Sequence, residues 1–362
     1  MKNLIIILGE DLQINRPFLD YFFTSYKEKF GALASVYYIQ NNDKELPFYI
    51  ENFTKEYDNI TICANENGFN TLSRILATLT TDTIELKFET LMPSQVIKFS
   101  KNSFLISLNN CQINLIKAEP IKELPEILTQ DDQQSKIFHI IDIDKESAQI
   151  LLEPLTASYN VNITLTTIID GLTKVKVSTS RYGHIDSFID SVANLFIGKI
   201  IPADDIIEFT AKKLIQNDKK ITFAESCTAG MCAAALGNIP GVSVAFNGSL
   251  VTYSNEIKNS WIGVDKDILD SFGAVSAQCA EAMASGALGL GVADYAIAIS
   301  GVAGPDGGST QKPVGTVFIA VASANNVASL RLLLSGDRNY IRTQSVLHAF
   351  TLLLRQYPEL CQ

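Results

Sequence analysis

The chain has 362 residues, 47% apolar and 19% charged, with a formal net charge of −10. That length supports two or three domains with separate cores, and the composition excludes a disordered chain. The acidic balance argues against nucleic acid or an anionic membrane as the main partner, while a small anionic ligand held by a few local cations remains compatible with it.

The N-terminal apolar run Leu4-Ile5-Ile6-Ile7-Leu8 is five residues long and meets Gly9-Glu10-Asp11, so it reads as a buried strand and not as a signal peptide. No run reaches the roughly 18 apolar residues of a membrane span. Cys63, Cys111, Cys227, Cys232, Cys279 and Cys361 form no Cys-x-x-Cys pair and no zinc-like spacing, which points to a reducing compartment. With only His139, His184 and His348, widely scattered, a histidine metal site is not expected. The expected location is cytoplasmic.

In chain order, residues 1–130 alternate apolar runs (4–8, 35–39, 59–64, 104–108) with helical stretches such as 17–30. That βα rhythm predicts an open, mostly parallel sheet. The polar run 129–135 reads as a linker. Residues 137–200 then predict a small α+β domain. It has a strand at 137–143, a helix at 145–155, strands at 161–167 and 173–178 around Asp170-Gly171, and a helix at 185–195.

Residues 203–362 predict an α/β/α sandwich with a mixed sheet. Helix 204–217 leads to strand 221–225, helix 227–236, strand 245–253 and a helix from Asn255. An alanine-rich helix at 276–290, a strand at 295–300, a strand pair at 315–323 and 327–334 and a last helix at 338–356 complete it. The 276–290 helix is a candidate surface for a homo-oligomer.

The chemistry gathers in this third unit. A serine hydroxyl is a poor nucleophile unless a base lies within hydrogen-bond reach. With histidine so scarce, a lysine kept neutral by desolvation is the natural base, and Tyr253 and Lys258 stand five residues apart. This suggests a Ser–Lys–Tyr arrangement for acyl transfer, in particular amide hydrolysis. Two serines compete for the nucleophile's role. Ser226 sits at a strand-to-helix junction, where it can serve as an N-cap, and where free helix amides could stabilise an oxyanion or bind phosphate. Ser243 sits in the turn Pro240-Gly241-Val242-Ser243. The preferred assignment makes Ser243 the nucleophile and Ser226 a substrate or oxyanion contact. Cys227, a thiol beside Ser226, is the weaker rival, because no histidine lies near it in sequence. The loop from Gly301 through Gly304-Pro305-Asp306-Gly307-Gly308 lets backbone approach a ligand closely, and Arg338 at a helix start could pair with phosphate.

Five segments carry a family resemblance in unbroken order. They are Ala224-Glu225-Ser226-Cys227-Thr228-Ala229-Gly230, Val251-Thr252-Tyr253-Ser254-Asn255-Glu256-Ile257-Lys258, Ile299-Ser300-Gly301-Val302-Ala303-Gly304-Pro305-Asp306-Gly307-Gly308, Lys312-Pro313-Val314-Gly315-Thr316 and Ser335-Gly336-Asp337-Arg338. Over residues 203–357 they resemble the CinA family C-terminal domain, a nicotinamide-nucleotide amidase. The resemblance implies hydrolysis of nicotinamide mononucleotide to nicotinate mononucleotide and ammonia, without a cofactor. It gives Ser243, Lys258 and Tyr253 the catalytic roles, and Ser226, Thr228, Ser300, Gly301, Gly304 and Arg338 the substrate site. Ala229 departs from the family, which usually has glycine there. Residues 1–130 resemble the family's molybdopterin-binding-like α/β/α domain, which is linked to ADP-ribose pyrophosphatase activity. Here the glycine-rich loop after 59–64 is replaced by Asn65-Glu66-Asn67-Gly68-Phe69-Asn70, without paired aspartates. A decayed site is therefore expected, with a divalent metal only if that domain is active. The competing readings are a pyrophosphatase acting through this domain and a non-catalytic nucleotide-binding or scaffold protein.

Overall fold

A computed structural model of the protein describes residues 2–31, 34–87, 89–130, 135–179 and 183–361, so most of the expected linker, at 131–134, lies outside the described residues. The chain divides into two compact units, Met1–Gln134 and Ser135–Gln362.

In the first unit a six-stranded sheet runs in the order Ser35–Ile39, Asn3–Leu8, Asn59–Ala64, Cys111–Lys117, Ser103–Leu108, Lys98–Ser100. The first four strands are parallel and the last two join antiparallel. Alternation along Asn3–Leu8 divides the core. Leu4, Ile6 and Leu8 pack with Leu46, Ile50, Phe69 and Leu72 of helices Leu46–Glu56 and Glu66–Leu79. Ile5 and Ile7 face Phe18, Leu19, Phe22 and Tyr26 of helix Arg16–Phe30. Burial on both faces is why this strand reads as an uninterrupted apolar run. The central strand Cys111–Lys117 escapes the sequence reading because Asn114 breaks its pattern. That amide is buried and satisfied: Nδ2 donates to Ser103 Oγ and Phe104 O, both at 2.9 Å, and Oδ1 accepts from Leu128 N at 2.9 Å.

The second unit holds two sheets. The smaller is antiparallel, in the order Asn162–Ile169, Leu172–Ser178, Ser135–Ile141, Ile200–Ile201. Helices Lys145–Tyr159 and Ile185–Leu195 cover it. Ile141, Ile169, Leu172 and Ile201 leave that core and join the core of the larger sheet. Arg355 of the last helix bonds Asp142 at 2.6 Å and the Gly171 carbonyl at 3.2 Å. The stretch 137–200, read from sequence as a separate small domain, thus shares a core with the larger sheet and its helices.

The larger sheet runs Phe246–Val251, Ile221–Glu225, Tyr295–Gly301, Thr316–Ser323, Val327–Leu333, with the first three strands parallel and the last two antiparallel. Helices Ile206–Gln216, Met231–Gly237 and Arg338–Gln356 build the core on one face. Helix Ala277–Gly291 covers the other, its Ala280, Ala284 and Ala287 against Ala296, Ala298, Ala320 and Ala322. The alanines of this helix are spent inside the chain, where small side chains let helix and sheet approach closely, while Gln278, Ser285, Gly289 and Leu290 on its outer face stay exposed.

Candidate active site

Open α/β sheets bind ligands beyond the carboxyl ends of their parallel strands. The parallel strands of the larger sheet end at Glu225, Val251 and Gly301. The antiparallel hairpin brings Thr316 and, through Leu333, the segment to Arg338 to the same edge. This edge collects most of the candidate residues.

The turn after strand Ile221–Glu225 is tightly held. Ser226 N donates to Ile299 O at 2.9 Å and Ala229 N to Ser226 O at 3.1 Å. Glu225 is fully buried, and its carboxylate accepts from the amides of Gly230, Cys232 and Ala233 at 3.0–3.1 Å. The helix start expected to greet an anion is therefore already occupied by the chain's own carboxylate. The helix also begins later than its sequence suggests, at Met231, because Ala229 and Gly230 hold φ of 51° and 95°. Alanine at 229 carries strain where glycine would be relaxed.

Lys258 is the central residue. It lies in the first turn of helix Asn255–Ile262, whose N-cap Ser254 accepts from Ile257 N, and is only 1% exposed. Its Nζ lies 2.8 Å from Thr252 O, 3.1 Å from Tyr253 O and 3.1 Å from Ser226 Oγ. Among the described residues no carboxylate forms an ion pair with it. A buried ammonium without a counter-charge costs several kcal/mol, roughly, even after relaxation. Burial accordingly holds the Lys258 pKa below its usual value, against a smaller opposing pull from the thiols of Cys279 and Cys227. In its neutral form the amine keeps two N–H bonds and one lone pair. The two carbonyls can only accept, so they take the N–H groups, and the lone pair is left for the one partner that can donate, Ser226.

Ser243 is not brought to this cluster. It is exposed on the short 3₁₀ turn Val242–Val244, before strand Phe246–Val251 begins. Phe246 pairs with Ile221 at the amino end of the sheet, whereas Ser226 follows Glu225 at the carboxyl end. Five strand residues at ~3.3 Å each put the two edges ~16 Å apart. The structure thus does not bring the preferred nucleophile Ser243 to Lys258. Tyr253 is brought there through its backbone. Its carbonyl holds Lys258, while its phenol is half exposed and accepts from Arg338 Nη2 at 3.1 Å, with no hydrogen bond to the lysine or the serine.

Arg338, the first residue of its helix, also donates from Nη1 to Gly304 O at 2.7 Å. Gly304 has φ +78°, and a Cβ there would lie 2.6 Å from Val314, so the loop needs glycine at this point. Gly301 ends its strand with Thr316 O 2.8 Å from where a Cβ would sit. Ser300 is buried and donates to Ala274 O at 2.7 Å, which commits its hydroxyl to the fold. Thr228 has a buried, unpartnered hydroxyl and gives its carbonyl to Arg342. Cys227 is buried, and burial pushes its thiol up to about 11 against the pull of Arg342, Arg338 and Lys258, so it is a neutral thiol near pH 7.

Sequence reasoning passed over Glu225 and Arg342. The signal for the second was available, since Arg338 and Arg342 are four apart on one helix face. Among the described residues no group of three or more His, Cys, Asp or Glu could hold a metal ion. In the first unit, Asp11 instead accepts from Asn65 Nδ2 at 2.6 Å, which is not a metal donor set. Among the described residues no helix is long and apolar enough to cross a membrane.

Residues 203–357 match the family model of the CinA C-terminal domain. A CinA-like protein of Fervidobacterium nodosum is 35% identical over 271 residues, 73% of this chain and 65% of that protein. One from Thermotoga neapolitana is 37% identical over 203 residues, 54% of this chain and 50% of that protein. The chain thus spans about half to two thirds of the length of these curated relatives. Among solved structures, the competence/damage inducible protein CihA from Agrobacterium tumefaciens is 38% identical, with a TM-score of 0.41. It covers 44% of this chain, which in turn covers 97% of it.

Proposed function

The chain belongs to the CinA family through residues 203–357, and on that premise we propose that this domain hydrolyses the carboxamide of nicotinamide mononucleotide, with Ser226 as nucleophile and Lys258 as general base. The observation that carries the reading is the buried Lys258 amine 3.1 Å from Ser226 Oγ, with its other two contacts taken by carbonyls. In the acylation step neutral Lys258 takes the Ser226 proton as Oγ bonds to the amide carbon. The tetrahedral oxyanion collapses, the C–N bond breaks, and the proton passes from Lys258 to the leaving nitrogen, which departs as ammonia. Water then gives a proton to the same amine and adds to the ester. The C–O bond breaks, Ser226 recovers its proton, and nicotinate mononucleotide is released. Arg338 is the group suited to the substrate phosphate, since its guanidinium reaches the exposed rim of the site.

The test is ammonia release from nicotinamide mononucleotide in the presence of a chelator, with AMP release from ADP-ribose followed in parallel. Wild type is expected to release ammonia, and Lys258→Met to lose at least about a hundredfold in kcat/KM while still folding. Ammonia release unaffected by Lys258→Met would overturn the mechanism. AMP release without ammonia would move the activity to the N-terminal unit.

A further inference from the structure

Arg342 takes no part in the proton transfers at Ser226, and its geometry is unusual for a half-buried arginine. Among the described residues it pairs with no carboxylate. Its Nε donates to Cys227 O at 3.1 Å and its Nη2 to Thr228 O at 2.7 Å, with a longer contact of 3.5 Å from Nη1 to Asn339. The whole guanidinium charge is directed at two consecutive carbonyls of the turn after Ser226.

A trans peptide points its carbonyl and its N–H in opposite directions. The Cys227 carbonyl and the Thr228 amide belong to one such plane, so an arginine holding the carbonyl aims the Thr228 N–H away from itself. Arg342 rises from helix Arg338–Gln356, which packs on one face of the sheet, whereas the Lys258 helix contributes Ile262 to the core on the other. The Thr228 N–H is therefore turned away from the Arg338–Gln356 helix. The second contact fixes the next plane, whose Ala229 N–H closes the turn on Ser226 O. The remaining donors of the turn are committed: Ser226 N to Ile299, and Gly230 N to Glu225. The Thr228 amide donates to no described residue, and the Cys227 amide meets only its own weakly accepting thiol.

We infer that Arg342 is a positioning residue that clamps the 227–229 peptides so that the Cys227 and Thr228 amides form an oxyanion hole beside Ser226. This deepens the Ser226 mechanism and rests on it. Donors fixed in advance at the point where negative charge develops act without reorganisation during the reaction, and the cation behind the turn adds favourable potential. Lysine could not replace it, because one ammonium lacks the fork that spans both carbonyls.

The experiment measures the rate at which a fluorophosphonate labels Ser226, with the adduct located by peptide mass spectrometry. The Oγ–P bond forms, the P–F bond breaks, fluoride leaves and the hydroxyl proton passes to Lys258, so the probe needs the oxyanion site and no natural substrate. Arg342→Gln is expected to slow labelling about a hundredfold, the loss seen on removal of an oxyanion donor, and Arg342→Lys about tenfold. The amidase KM is expected to stay within about twofold while kcat falls in step with labelling, a split that mere loss of structure does not produce. If Arg342→Gln does not fold, Arg342→Lys carries the test. Wild-type labelling rates in the folded variants, or a loss confined to KM, would overturn the clamp and leave the Ser226 mechanism standing. No labelling of Ser226 in wild type would overturn both.

Discussion

Two strand-to-helix junctions in this chain begin alike and end differently. After strand Asn59–Ala64, Asn65 caps helix Glu66–Leu79 at once, its Oδ1 accepting from Gly68 N at 2.9 Å and its Nδ2 donating to Asp11. The junction is locally complete. After strand Ile221–Glu225 the chain spends five residues, 226–230, before its helix. Those residues include an alanine at positive φ, a serine against a buried lysine and two amides, of Cys227 and Thr228, that donate to no other described residue. A fold has no structural reason to bury an unpaired amine or keep donors uncommitted. The contrast teaches that the second junction is organised around something that arrives from outside.

The comparison can be broken or sharpened in order of expected effect. The largest concerns pH. Protonated Lys258 cannot accept the serine proton, so kcat/KM should rise tenfold per pH unit and level off at the Lys258 pKa. Because burial lowers that pKa, the plateau should begin below the ordinary lysine value of 10.5. A pH-independent rate would remove the lysine from the chemistry. Next, Arg338→Ala should raise KM for nicotinamide mononucleotide by about tenfold to a hundredfold, the value of a charge-assisted contact, with little change in kcat. An unchanged KM would place the phosphate elsewhere. Smaller still, Asn65→Ala should cost the first unit about 1 kcal/mol in denaturant unfolding through its lost N-cap and leave ammonia release untouched. Ala229→Gly should add about 1 kcal/mol to the stability of the second unit by relieving the left-handed backbone. A loss of stability there would mean that the alanine methyl contributes more than its strain costs.

Much of this architecture is legible in the sequence, for physical reasons. Burial on both faces makes strands such as Asn3–Leu8 and Tyr295–Gly301 visible as apolar runs, and the helices between them announce themselves by their spacing. Ser226 stands out just past a strand end, and Lys258 and Arg338 stand out at helix starts. The choice between the two serines is not legible in the residues themselves: Ser243 is favoured by the family resemblance, whereas Ser226, 32 residues from Lys258, is the one in contact with it. Sequence proximity does not reveal that a parallel crossover carries Ser243 to the opposite edge of the sheet. Glu225 and Arg342 stay hidden because they act on backbone groups, and backbone partners leave no pattern in side-chain order.

The central claim is that Ser226 attacks and Ser243 does not. The direct measurement is kcat for ammonia release from nicotinamide mononucleotide by Ser226→Ala and Ser243→Ala, each checked for folding. The account requires Ser226→Ala to fall by about a thousandfold or more, as expected when a nucleophile is removed, with Ser243→Ala within about twofold of wild type. Activity that survives Ser226→Ala, or that disappears in Ser243→Ala, would contradict it.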